Sequence, residues 1–373
     1  MLTNKFTFKV VRPNQVAANG LTGLELSSLE LPLRPQLAYD PKLADAAELY
    51  SYAIKEAWRY DIWSPKPPVA EEKIDGVRCQ FVLTLANGKP TAYGVSRAGR
   101  RLSSVGHLIE DLVTSRDNAG LDTTSLADRL AYSESRGYSC LVIDCELFAL
   151  DLANAGSDAS TYLPFRLVNG FANRQSPDAD TCRLKAYVFQ IYWTNRVGKL
   201  LETVDPELWE LVLFSQLRLP KHRWVAAQRY PIKSVEDLTS LAEALAANHS
   251  EGLIFKSSDF RHVDGRTKLW LKLKFRRSGT FELVDVIAGE GKCLGNAGAI
   301  KIKDALGNTS LVGTGFTDSD RAELSSLDLS SRRYFVDVSY MTKTGDSLRE
   351  ASFIAIRYDL PSNYILTDKF SER

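Results

Sequence analysis

The chain has 373 residues, with 47 Lys and Arg against 46 Asp and Glu and a formal net charge of +1, so two domains, one large and one small, are expected. Hydrophobic residues make up 44% and charged residues 25%, which excludes extensive disorder, collagen-like repeats and coiled coil. No apolar run reaches the roughly 18 residues of a membrane span and the first twenty residues hold no compact apolar segment, so no membrane association and a cytoplasmic location are expected.

Residues 1–40 mix short alternating stretches with Pro13, Pro32 and Pro35 and give no assignable element; they read as an N-terminal extension. Apolar Leu43, Ala46, Leu49, Ala53, Ile54 and Ala57 recur at helical spacing and predict an amphipathic helix over 41–60. The segment Ser64-Pro65-Lys66-Pro67-Pro68 stops it. Strand-like runs follow at 78–85, 91–95, 139–147 and 183–193, around a loop-rich stretch at 151–181 full of Ala, Asn, Ser, Asp and Gly. A helix over 234–247, capped by Ser234, precedes a strand at 252–256. Residues 267–274 alternate, with Lys268, Lys272 and Lys274 on one side and Leu269, Leu271 and Leu273 on the other. After Ser278-Gly279 the texture changes to short β-type runs at 280–287, 299–303, 310–312, 334–340 and 352–358, which predict a small barrel over 279–373. The five cysteines form no CxxC pair and stand beside no histidine at zinc spacing, so they read as reduced thiols.

Charge is balanced overall but not locally. Between positions 256 and 277 lie eight Lys or Arg against Asp259 and Asp264, a basic zone suited to a focused phosphate site. The most informative segment is Lys73-Ile74-Asp75-Gly76-Val77-Arg78. A single lysine at a strand mouth is ordinarily a solvated charge; its companions change that reading. A lysine amine becomes nucleophilic near neutral pH through neighbouring cations or desolvation, and Lys256, Lys272 and Lys274 are the candidate cations. The same charges would bind a triphosphate and offset charge developing at phosphorus. Gly76 allows a close backbone approach to a nucleotide, and Asp75 and Arg78 can hold a ribose or phosphate. In Leu141-Val142-Ile143-Asp144-Cys145-Glu146-Leu147 two carboxylates share one strand face. They form either a salt-bridged edge or a contact to a divalent metal or ribose. Glu251 and Lys256 flank the apolar strand core 252–255.

Taken in order, EKIDGVR, VSRAGR, LVIDCEL, VFQIYW, SEGLIFK and LWLKLK resemble the motif series of the covalent nucleotidyltransferases, which comprise ATP-dependent DNA ligases, RNA ligases and mRNA capping enzymes. The resemblance runs from about position 35 to 359. It implies an α+β protein with an adenylation domain of antiparallel sheets and helices over 41–278, then a C-terminal OB-fold β-barrel over 279–373. It implies that Lys73 takes up AMP from ATP, that Glu71 lies beside the adenine, and that Arg78 and Arg97 contact ribose, reacting phosphate or nick. Glu146 and Glu251 would serve ribose and Mg2+, and Lys256, Lys272 and Lys274 would hold the phosphates. Phe189 would stack on the base, although a core aromatic in the strand 187–193 is an equal reading. The family often has Asp where Gln190 follows that aromatic.

The C-terminal run at 338–353 is similar to the end of the OB domain in small podovirus-type DNA ligases, which favours DNA over RNA ligase or capping activity. Many relatives end in an RxDK motif thought to orient the leaving pyrophosphate; here it is Arg357-Tyr358-Asp359-Leu360. The resemblance thus implies a monomeric bacteriophage-type ligase of DNA replication, repair and recombination, acting in the cytoplasm, the host's if viral. It would hold nicked duplex DNA mainly through the phosphate backbone. A non-catalytic OB-type nucleic-acid-binding protein is the alternative of another class.

Overall fold

The computed structural model describes residues 36–41, 45–53, 67–114, 126–151, 162–195, 199–248, 250–259, 261–344 and 347–366. Most of the predicted N-terminal extension, both flanks of the helix predicted over 41–60, the start of its proline-rich stop and Gly345-Asp346 lie outside these. Along the chain run β1 (Leu37–Tyr39), α1 (Ala46–Tyr52), β2 (Val69–Lys73), β3 (Val77–Ala86), β4 (Lys89–Ser96), α2 (Gly106–Val113), α3 (Leu126–Ser135) and β5 (Cys140–Phe148). Next come α4 (Phe165–Ala172), β6 (Lys185–Thr194), β7 (Leu200–Thr203), β8 (Trp224–Ala226), β9 (Arg229–Pro231), α5 (Val235–Ala247), β10 (Gly252–Lys256) and β11 (Arg266–Lys274). The last elements are β12 (Arg277–Ala288), β13 (Ala297–Lys303), β14 (Thr309–Val312), α6 (Asp318–Ser326), β15 (Tyr334–Tyr340), β16 (Thr342–Thr344), β17 (Ser347–Arg349) and β18 (Ser352–Ile356). Two compact units divide between Leu273 and Lys274.

The N-terminal unit holds two sheets. One has the order β1-β11-β10-β2-β9 and the other β4-β3-β5-β6-β7, with β8 beside β6. Pairing is antiparallel along β4-β3-β5-β6-β7, whereas β1 joins β11 and β8 joins β6 in parallel. Period-two alternation decides what each face of the second sheet does. Phe81, Leu83, Leu141 and Ile143 point into the main core, where they meet Leu108 and Leu112 of α2, Val168 and Phe171 of α4, and Trp224. On the opposite face the apolar group Val82, Val142 and Tyr192 gives way along the strands to Gln80 and Asp144 and then to Arg78 and Glu146. Helix α5 begins as its sequence dictates: the Ser234 side chain accepts from Asp237 N, and the Asp237 carboxylate accepts from Ser234 N.

Three features depart from the sequence-based expectations. Residues 36–40 are not wholly an extension, because β1 pairs with β11 at the edge of the first sheet. The stretch at 151–181 contains α4, a helix of two turns that buries only Val168, Phe171 and Ala172. With Asn169, Gly170 and Asn173 around them, those three residues were too few to raise a helical period above a loop-like composition. In the C-terminal unit the strands form an open antiparallel sheet, β14-β13-β12-β15-β18, with β16-β17 as a separate hairpin. Phe281, Ile300, Val312, Val336 and Phe353 build its core together with Leu324 of α6. The predicted barrel is not closed by a continuous ladder. Its two ends are linked instead by Phe353 N to Thr314 O at 2.9 Å and Thr314 Oγ1 to Ala351 O at 3.0 Å, and the hairpin is tied to β14 by Leu348 N to Ser310 Oγ at 2.9 Å. The segment expected to carry the RxDK motif closes on itself: Arg357 binds Asp359 through two bonds and also reaches Asp337.

Trp224 is fully buried against Phe81, with ring centroids 5.1 Å apart, and its Nε1 donates to Asp111 at 3.1 Å. Trp224→Ala is expected to lower stability by about 3–5 kcal/mol and Trp224→Phe, which loses the hydrogen bond, by about 1 kcal/mol. Urea unfolding followed by circular dichroism measures both.

Candidate active site

Lys73 ends β2 in one sheet and Val77 opens β3 in the other, so the three residues Ile74-Asp75-Gly76 carry the chain from sheet to sheet. Gly76 is required there by packing. A Cβ on it would stand 2.1 Å from the carbonyl oxygen of Leu147 and 2.7 Å from Cγ of Glu146. The close approach expected at this glycine is thus to strand β5, and it lays the Lys73 turn directly over Glu146. Beside this turn opens a cavity of about 460 Å³, walled by Glu71, Lys73, Ile254, Lys256, Trp270 and Lys272 of the first sheet and by Arg78, Glu146, Tyr187 and Phe189 of the second. Arg97 and Arg100, from the turn after β4, Phe165 and Asn169 of α4, and Asn173 just after it also line it. Asp75 is half-buried and is not among the lining residues.

Of the expected lysines, Lys256 and Lys272 line the cavity with Lys73, and each of the three stands beside a carboxylate. Lys73 Nζ donates to Glu251. Lys256 Nζ lies 2.6 Å from Glu71 and donates to the Phe189 carbonyl at 3.0 Å, with the Trp270 ring 4.2 Å away. Burial pulls the Lys256 ammonium below its ordinary range, and Glu71 only partly offsets this. Lys272 pairs with Asp40 at 3.4 Å, Lys274 with Glu350 at 2.7 Å in the C-terminal unit, and Lys268 lies over the rings of Tyr39 and Tyr52. Alternation puts these lysines on one side of the strand, but it cannot reveal the carboxylate or ring that each one meets.

The two carboxylates on β5 have separate fates. Asp144 is completely buried and binds Arg78 through two bonds, from Nε at 2.9 Å and Nη2 at 2.6 Å. Because β5 lies between β3 and β6, the pair is interior rather than an exposed edge. Burial works against the guanidinium charge, but Asp144 outweighs it and holds Arg78 above its ordinary range. Glu146 stands opposite Arg78 on the cavity wall. Burial pushes its carboxyl up to about 7, although Lys73 and Arg78 pull the other way and Glu251 adds to the rise. A divalent cation would find two carboxylates here, Glu146 and Glu251, close enough to feel one another.

Phe189 reaches the cavity through a β-bulge. Asp144 pairs with Gln190 and Cys145 with Val188, which leaves Phe189 as the extra residue. Its half-buried ring meets Trp270 edge-on at 6.0 Å and carries the Arg78 guanidinium 5.0 Å above it. It both packs against the main apolar core and walls the cavity. Several neighbours were missed in the sequence. Trp270 falls on the lysine side of the alternating strand and could have been read there; Gln36, Asp40 and Asn169 carried no signal, since their elements were not recognised.

The chain matches the ATP dependent DNA ligase domain family over residues 41–274. It is 26% identical over 283 residues to DNA ligase 1 of Methanosarcina acetivorans, covering 69% of this chain and 43% of that protein. The chain thus spans about two fifths of the length of the curated relative it matches. In fold it is similar to the solved structure Pmar-Lig_PreS3, with a TM-score of 0.58 and 20% identity over 87% of this chain and 68% of the other. It is also similar to a structure from a structure-function study of Lig E DNA ligases, with a TM-score of 0.53 and 16% identity over 87% of this chain and 98% of the other. At these identities the likeness is one of fold.

A carboxyl raised from about 4.5 to about 7 keeps its proton in the folded chain over a range where the unfolded chain has lost it. Glu146 therefore withdraws stability as pH rises from about 4.5 to 7, and above 7 the loss is complete. Glu146→Gln is expected to melt higher than wild type at pH 8, with the gap closing as pH falls below 7; melting curves across pH 5 to 8 test this. Gly76→Ala is expected to destabilise the chain at every pH, since its Cβ meets backbone that cannot move aside. The same melts measure it.

Proposed function

The chain belongs to the family of ATP-dependent DNA ligases, and on that premise we propose that it seals nicks between a 5′-phosphate and a 3′-hydroxyl in duplex DNA, with Lys73 carrying AMP from ATP to the DNA end. The observation that carries this reading is Lys73 itself, at the end of β2 on the wall of a cavity that also holds Glu71, Arg78, Glu146 and Phe189. In this reading the N-terminal unit is the adenylation domain and the C-terminal sheet an OB-fold. DNA is held mainly through its phosphates, without sequence preference, by a monomer. No helix among the described residues is long and apolar enough to cross a membrane.

The chemistry is three phosphoryl transfers, each chiefly a matter of position and charge. In the first, Lys73 Nζ bonds to the α-phosphorus of ATP and the bond to pyrophosphate breaks. The ammonium must first give up a proton, and the carboxylate in contact with it is Glu251. In the second, an oxygen of the DNA 5′-phosphate bonds to the same phosphorus, the P–N bond breaks and the lysine recovers its amine. In the third, the 3′-hydroxyl loses its proton and attacks the 5′-phosphorus, and AMP leaves. Arg78, fixed by Asp144 over Phe189, is read as a contact to ribose and phosphate above a stacked base. Arg97, exposed at the cavity edge, is read as a contact to the reacting phosphate or nick. Glu71, bound to Lys256, frames the adenine end. Lys256 and Lys272 line the cavity, and each reaches a phosphate only by leaving its carboxylate, Glu71 or Asp40, as Lys274 does by leaving Glu350.

Glu146 and Glu251 suit Mg2+, which takes one or two carboxylates and keeps its remaining ligands as water and phosphate oxygen. Bound there, the ion would neutralise charge on the phosphate oxygens.

Incubation with ATP and magnesium is expected to add one AMP to the chain, located by mass spectrometry on Lys73 and lost in Lys73→Ala. An adduct on another residue, or one formed from GTP and not ATP, overturns the reading. With nicked DNA added, wild type should give sealed product, and binding should weaken as salt rises.

A further inference from the structure

Gln190, which stands where the family often carries Asp, belongs to a buried chain of side chains that leads from His262 to Arg78. His262 is buried, with its ring tilted against Tyr192 at 4.3 Å and its backbone N–H donating to Thr203 Oγ1 at 2.8 Å. Its Nδ1 lies 3.0 Å from Gln190 Oε1, and its Nε2 lies 3.3 Å from Asp264. Gln190 Nε2 donates to Gln36 Oε1 at 3.1 Å, and the same oxygen accepts from Val263 N at 2.9 Å. The backbone carbonyl of Gln36 then accepts from Arg78 Nη1 at 2.5 Å. Gln36 and Gln190 are both essentially without solvent exposure, so neither amide can turn to water for a partner.

The direction of every bond follows from one unambiguous donor. Val263 offers a backbone N–H, so the end of the Gln36 amide facing it is oxygen. The Gln190 group facing that oxygen is therefore the NH2, the far end of Gln190 is oxygen, and His262 Nδ1 must carry hydrogen. Reversing Gln190 would set its oxygen against that of Gln36. His262 thus fixes Gln190, Gln190 helps fix Gln36, and Gln36 supplies the third hydrogen bond of a guanidinium whose other two go to Asp144.

We propose that His262, acting through Gln190 and Gln36, is a positioning residue for Arg78, holding its guanidinium over Phe189 for nucleotide transfer. The inference rests on the ligase reading above. It assigns to Gln36, just before β1, and to the segment after β10 a part in the reaction, although His262 does not touch the cavity.

The test is the rate of AMP transfer to Lys73 in the full chain, at limiting and at saturating ATP. His262→Leu removes the donor and is expected to slow transfer on the order of tenfold at limiting ATP. His262→Asn keeps an N–H near the place of Nδ1 and is expected to run near the wild-type rate. Combined with Arg78→Lys, His262→Leu should cost much less than it does alone, because both changes disturb the same guanidinium. If His262 serves only as packing against Tyr192, Asn fails as badly as Leu and the loss persists beside Arg78→Lys; either result overturns the proposal. Thermal melts identify any variant that has unfolded, and if His262→Leu is one of them, Gln190→Leu breaks the same chain at its next member and must show the same loss. A wild-type chain that takes up no AMP sinks the ligase reading itself, whereas normal transfer by folded His262→Leu sinks only the relay.

Discussion

The ion pair between Arg78 and Asp144 is the constraint around which the rest of the cavity is arranged. A fully buried carboxylate is tolerated only if its charge and its lone pairs are met, and Asp144 receives two bonds from Arg78 and a third from Gln80 Nε2 at 3.0 Å. Gln80 in turn donates to the Tyr192 hydroxyl at 2.8 Å. Satisfying the acid therefore fixes the arginine, and the arginine then has one remaining edge for Gln36 and one face for Phe189. Removing either partner would strand the other in the interior, which makes the pair a poor source of net stability and a strong determinant of geometry. Electrostatic preorganisation of this kind is most useful where charge must be met without movement at the moment of reaction.

The lysines of the cavity follow the same rule of pairing. Lys73 meets Glu251, Lys256 meets Glu71 and Lys272 meets Asp40, whereas Arg97 and Arg100 stand exposed at the rim. Glu146 differs from these paired carboxylates. It sits opposite an arginine already committed to Asp144, and its carboxyl rises to about 7.

Much of the fold could be read from the chain because its central strands obey simple periodicities. The run 78–85 sits in β3, the run 139–147 is offset by one residue from β5, and residues 252–256 coincide with β10. Ser234 was legible as a cap because its partner lies three residues along. The site was partly legible for a different reason: Lys73, Arg78, Glu146, Phe189 and Lys256 lie in short motifs, and all of them line one cavity. What stayed hidden depends on partners far apart in sequence. Asp40 meets Lys272, and Gln36 meets Gln190, across separations that no local window covers. The short helix α4 was lost because its buried face has only three residues.

The bulge in β6 can be seen as a phase slip in a lattice of period two. Upstream of it, Tyr187 faces the side of Glu146; downstream, Gln190 faces the side of Asp144, although three positions rather than two or four separate them. One surplus residue, Phe189, absorbs the difference. Without the slip a strand could present an aromatic wall to the cavity or an amide to the interior beyond it, but not both in the correct register. A single-residue insertion or deletion between these positions would therefore act as a parity error, exchanging inside for outside along the remainder of β6.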